Sequence, residues 1–218
     1  MNDKAVENPL TRVLKVRRHG RGQQFAKRAI LSVAPFLLLA VVAAPSRAAQ
    51  PKAAGTPAKA PEWVYPLIPG FGGVHPRPDL PVRPDPSVNY KIFVDVVSHS
   101  RDPAGRFDGL QRLARLVNLM AYAKVPPQHV HIVALLDGES AMAAVNNDFY
   151  RKNFKGDNPN LALVQALKKA GVELLICGQG LAENGMPDSV VSPDATVTLS
   201  ALTDAVVYGQ RGYIYMQL

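Results

Sequence analysis

Short apolar runs alternate with amphipathic stretches from about residue 89 to residue 218. Residues 90–97 form the first run, and Ile92, Phe93, Val94, Val96 and Val97 make it apolar enough to sit centrally in a sheet. In residues 107–124 the positions Leu110, Leu113, Val117 and Met120 recur at helical spacing. Pro126-Pro127 forces a turn, and residues 129–136 predict the second strand. A helix is expected over 140–154, with Met142, Val145 and Phe149 on one face. Asn158 and Pro159 supply a cap and a first-turn proline for a helix reaching Ala170. Lys168 and Lys169 suit its negative end, and Gly171 ends it. A third strand follows at 172–177, a short helix at 179–184 and a fourth strand at 195–199. Ser200 caps a helix through Gln210, and Gly212 releases a fifth strand at 213–217. This alternation demands an α/β fold, with a parallel or mostly parallel five-stranded sheet covered on both faces.

The pattern before residue 89 differs. Arg17, Arg18, Arg21, Lys27 and Arg28 precede an apolar stretch over 29–44, and Ser46-Arg47-Ala48 then offers small residues. Residues 1–48 therefore read as a signal peptide cleaved after Ala48, which implies a periplasmic or secreted protein. An uncleaved leader is the one route to a membrane. The stretch is shorter than the ~20 residues a spanning helix needs, and Pro35 interrupts it. Residues 49–89 hold ten of the nineteen prolines. Their first part reads as a low-complexity linker. In the second part, Trp63, Tyr65, Leu67, Ile68 and Phe71 predict an extended arm over 63–74, packed on the domain or on a neighbouring subunit.

Charge sharpens this division. The net charge is +8, but residues 1–48 hold nine Lys and Arg against Asp3 and Glu7. The rest of the chain balances sixteen basic groups against fifteen acidic ones. It shows no basic stripe with interleaved aromatics, so no nucleic-acid partner is expected.

The candidate chemistry centres on Cys177, the only cysteine. No intramolecular disulfide is possible, and the core alone must hold the fold. Cys177 ends the third apolar run and faces the start of the next helix, a place where ligands collect and the helix field favours a thiolate. A small buried hydrophobe is the structural alternative. Asp95 lies inside the first strand, where it can orient a ligand or play a structural part. His129 and His131 share a strand face, but no third ligand is placed, and no metal site is expected. The loop after the first strand, with Ser98, Ser100 and Arg101, could cradle a phosphate or a flavin phosphate, or simply cap the next helix. CxxC, HExxH, GxSxG and Walker patterns do not occur.

The residues around Cys177 also carry a family resemblance. Gly171-Val172-Glu173-Leu174-Leu175-Ile176-Cys177-Gly178-Gln179-Gly180-Leu181-Ala182, then Leu199-Ser200-Ala201-Leu202-Thr203 and Gly212-Tyr213, resemble the DsrE/DsrF-like family in its exported branch. Asn158-Pro159-Asn160-Leu161, the strand at 90–95 and the arm at 65–74 fit the same branch. The resemblance implies a flavodoxin-like three-layer α/β/α sandwich over residues 90–218, built into homo- or hetero-oligomers. It implies that Cys177 carries sulfane sulfur as a persulfide, with no cofactor, exchanging it with a donor or acceptor protein. Asp137-Gly138 stands where exported members often carry His-Gly.

Two readings follow. In the first, Cys177 is the sulfur carrier, Gly178 and Gln179 donate hydrogen bonds to the terminal sulfur, and Asp95, Asp137 and Gly138 line the pocket. In the second, the chain is a non-enzymatic, oligomeric binding module for a small anion, a nucleotide or a partner protein, and Cys177 is packing.

Overall fold

The computed structural model describes residues 62–102 and 104–218. The leader and the first part of the proline-rich linker lie outside the described residues.

Five strands form one sheet: β1 (Tyr90–Val96), β2 (Val130–Leu136), β3 (Glu173–Cys177), β4 (Thr196–Thr198) and β5 (Ile214–Gln217). Their order across the sheet is β4-β3-β2-β1-β5, and every pairing is parallel. The helices are α1 (Asp108–Tyr122), α2 (Asn147–Asn153), α3 (Leu161–Lys169), α4 (Gly178–Glu183) and α5 (Ala201–Gln210). From β1 to β4 the chain steps across the sheet in one direction. The crossover from β4 to β5 runs back to the far edge. Right-handed crossovers then put the earlier helices on one face and α5 on the other.

The side chains divide accordingly. Ile92, Val94, Val96, Ile132, Ala134, Leu136, Leu174 and Ile176 meet Leu110, Leu113 and Val117 of α1 and Leu163, Val164 and Leu167 of α3 in the main core. Alternate strand residues Phe93, Val133, Leu135, Leu175 and Cys177 face the other way, toward Tyr208 of α5. Phe93 and Tyr208 stack with ring centroids 5.2 Å apart. Burial on both faces explains why β1 and β2 read as continuous apolar runs. The result is the three-layer, flavodoxin-like α/β/α sandwich, with one helix in its second outer layer.

The expected helix over 140–154 is two elements. A 3₁₀ segment, Gly138–Ala144, ends at Val145, and α2 starts only after Asn146. Val145 bridges to Val191, while the Asn146 side chain accepts from the Phe149 amide and so caps α2. Asn158 is not the cap of α3, a place taken by Asn160. Its buried amide instead donates toward the carbonyls of Met142, Ala143 and Val145, tying down the segment that precedes α2.

The arm lies along α1. Val64 and Val74 exchange two backbone hydrogen bonds of 2.9 Å, closing a small loop. Asn118, fully buried on α1, accepts from the amides of Leu67 and Ile68 at 2.9 and 2.8 Å. Its own amide donates to the carbonyls of Phe71 and Gly72 at 2.9 and 3.1 Å. Gly72 has φ +57°, and a Cβ there would stand 2.2 Å from the backbone nitrogen of Arg115. Only glycine allows so close an approach.

Candidate functional site

Cys177 closes β3 and is also the N-cap residue of α4. An N-cap side chain meets the free amides of the first helical turn. Here the acceptor is sulfur, and the Gly180 amide donates to Sγ at 3.4 Å. A second amide arrives from elsewhere in the chain. Ala201, the first residue of α5, donates its N–H to the same Sγ at 3.3 Å. Two helix N-termini converge on one sulfur atom, and the peptide dipoles of both present it with positive potential. The residue is 5% exposed.

Local chemistry fixes α5 in this position. Ser200 accepts the Leu202 amide on its Oγ at 3.2 Å, and the Thr203 hydroxyl donates to the Ser200 carbonyl at 3.0 Å. The Thr198 hydroxyl, on β4, donates to the nearly buried carboxylate of Asp204 in the first turn of α5. The same hydroxyl lies 3.3 Å from the carbonyl oxygen of Ile176, the residue before the cysteine. A Cβ at Gly178 would stand 2.5 Å from the Thr198 carbonyl oxygen. Gly178 therefore lets β4 close against the β3–α4 junction, and this packing sets its residue type.

Asp137 follows β2 directly, and the pairing of Leu136 with Ile176 sets it level with Cys177 on the neighbouring strand. Its Oδ1 accepts from the Gly138 amide at 2.8 Å. The Cβ position of Gly180 lies 3.5 Å from that oxygen and 3.8 Å from Sγ, so carboxylate and thiol flank the same glycine. Gly138, at φ +57°, turns the chain into the 3₁₀ segment.

Asp95 lies on the same face of the sheet, one strand further. The Tyr215 hydroxyl on β5 donates to its Oδ2 at 2.7 Å, while Oδ1 is buried without a partner among the described residues. The hydrogen bond to Asp95, with burial and the carboxylate charge, pushes the Tyr215 phenol up to about 12. Asp137 adds to that field. Burial, reinforced by Glu173, does the same for Tyr208, which also rises to about 12.

Cys177, Asp137, Gly138 and Gly178 thus gather at the carboxyl ends of β2 and β3, with Asp95 beside them. The donors to Sγ itself are the amides of Gly180 and Ala201. Gln179 is exposed, and its side-chain amide turns to the Leu199 carbonyl at 3.3 Å. Gly180 could have been found from the capping pattern, since the third residue after an N-cap carries the amide that reaches its side chain. Ala201 carries no such signal beyond the helix start at Ser200.

The other candidate motifs are spent locally. In the loop after β1, Asp102 Oδ1 accepts the amides of Ala104 and Arg106, both at 2.9 Å. The Arg101 guanidinium lies 4.0 Å from the centre of the Phe107 ring. His129 Nδ1 lies 2.9 Å from the Pro86 carbonyl oxygen, and no group of three or more potential metal ligands forms among the described residues.

Comparison with known proteins adds a family. The model of the DsrE/DsrF-like family matches residues 91–218. Among solved structures, a protein of unknown function from Methanobacterium thermoautotrophicum matches with 17% identity and a TM-score of 0.42, covering 59% of this chain and 99% of that one. No curated protein matches the chain.

Proposed function

The chain belongs to the DsrE/DsrF-like family, and from that premise we propose that it is an exported sulfur-handling protein carrying sulfane sulfur as a persulfide on Cys177. The observation that supports this reading is the pair of amides, from Gly180 and Ala201, aimed at one sulfur atom. Fixed N–H dipoles at a site of developing negative charge stabilise it without reorganising. A sulfur anion at Cys177 is that kind of charge.

The step is a sulfur transfer. The Cys177 thiolate attacks the sulfane sulfur of a persulfide or polysulfide donor. The donor's S–S bond breaks, its electron pair leaves with the donor thiolate, and Cys177 gains one neutral sulfur atom. The thiol proton passes to water before the attack. The sulfur atom is the cargo, so the step calls on neither a metal nor an organic cofactor. A partner protein of matching chemistry supplies the sulfur or accepts it.

One observation favours the second reading, a binding module in which Cys177 is packing: the thiol is nearly buried. Native alkylation separates the two. In the first reading a small reagent modifies Cys177 in the folded protein, far faster than global unfolding allows. Modification only at the unfolding rate would leave the packing role.

A further inference from the structure

We propose that Gly180 is a positioning residue of the site: its missing side chain keeps open the space that the outer sulfur of a Cys177 persulfide occupies. This inference rests on the sulfur-carrying reading of Cys177. The first turn of α4 reads Gly178-Gln179-Gly180. Glycine weakens a helix relative to alanine, so each of the two needs a reason. Gly178 has one in packing, since a Cβ there would stand 2.5 Å from the Thr198 carbonyl oxygen. Packing supplies none for Gly180. Its backbone is helical, and it is not among the glycines with positive φ. A Cβ there would meet nothing outside its own helix backbone closer than 3.5 Å, an ordinary van der Waals distance. Alanine therefore fits the fold as long as the thiol is bare.

The atoms around that position are those of the chemistry. They are Asp137 Oδ1 at 3.5 Å, Cys177 Cβ at 3.7 Å and Cys177 Sγ at 3.8 Å. Cys177 is otherwise buried in the α5-side core with Leu135 and Leu175, whereas Gly180 is partly exposed. The amides of Gly180 and Ala201 take two further directions around Sγ. A donor therefore reaches the sulfur over Gly180. Loading bonds one sulfur atom to Sγ as the donor's S–S bond breaks and its electron pair leaves with the donor thiolate. The new S–S bond is about 2.05 Å long. Directed over Gly180, the outer sulfur fills the volume that a methyl group on this residue would take. Alanine is thus compatible with the thiol and incompatible with the persulfide.

Gly180→Ala in the full chain tests this. Its melting temperature should equal or exceed that of the wild type. The ultraviolet absorbance of the Cys177 thiolate, read against Cys177→Ser, should titrate at the same pH in both proteins, because the amide of residue 180 still donates to Sγ. Sulfur uptake from inorganic polysulfide, followed by intact mass, should be at least about tenfold slower in the variant, as misplacing reacting atoms by about 1 Å can cost. Uptake at the wild-type rate overturns the inference. A lower melting temperature also overturns it, since the glycine would then serve packing. So does a shift in the thiolate titration large enough to account for the slower uptake. A wild type that takes up no sulfur overturns the reading of Cys177 itself, and the inference with it. The first three failures appear only in the comparison of the two proteins, and the last appears in the wild type alone.

Discussion

The backbone amide of Ala201 donates to the sulfur of Cys177 across 24 residues of chain, at 3.3 Å. The contact joins the end of β3 to the start of α5, and it exists because β4 lies beside β3 and hands the chain straight into that helix. The local contact from Gly180 completes a pair of donors from two different helices. The sulfur environment is therefore a property of the tertiary fold.

That dependence makes Gly178 a sensitive position. Alanine there would bring a Cβ to 2.5 Å from the Thr198 carbonyl oxygen, a backbone atom with little room to yield. Gly178→Ala is expected to cost about 1–3 kcal/mol of stability, as overpacking does. Denaturant unfolding gives the cost, and native alkylation of Cys177 in the same variant reports whether the amide of Ala201 has moved away from sulfur.

Asp137 sets the charge beside the thiol. Its carboxylate and Sγ flank Gly180, and a nearby negative charge disfavours a second one. Asp137→Asn is expected to speed alkylation of Cys177 at neutral pH by roughly threefold or more. An unchanged rate would mean that solvent screens the carboxylate from the sulfur.

Asn118 is the polar anchor of the arm. Asn118→Ala leaves the amides of Leu67 and Ile68 and the carbonyls of Phe71 and Gly72 without their buried partner. The loss is expected to reach at least about 2 kcal/mol, since unsatisfied buried groups cost about 1–3 kcal/mol each. Limited proteolysis then cuts within residues 62–76 while the sheet domain stays whole. Equal resistance of wild type and variant would contradict this role.

Alkaline pH tests the two tyrosines. Both phenols rise from the ordinary value of 10.0 to about 12 in the folded protein. A raised folded value means that the unfolded chain loses these protons first. The stabilisation is complete below about pH 10 and is lost as pH rises toward 12. The melting temperature should fall over that interval in the wild type and fall less steeply in Tyr208→Phe. Tyrosinate absorbance of the folded protein locates the titration itself.

The layer order, the five strands and most helix ends were legible in the sequence because apolar periodicity reports burial directly. The break before α2 was not. Met142, Val145 and Phe149 keep helical spacing through it, and the break is made by Val145 pairing with Val191 and by Asn158 reaching back to three carbonyls. At the site, the strand end and the helix start at Cys177 were legible. The Gly180 donor follows from capping geometry, but the Ala201 donor depends on the order β4-β3-β2-β1-β5, which local pattern does not encode. Asn118 carried no signal either, since a single polar residue on a helix reads as solvent-facing until the arm is placed over it.

The central claim is that Cys177 carries sulfur, and intact mass spectrometry after incubation with polysulfide tests it most directly. The wild type is expected to gain the mass of one sulfur atom, removable by a reductant, and Cys177→Ser is expected to gain none. An unmodified wild type, or an equal gain on Cys177→Ser, would contradict the account.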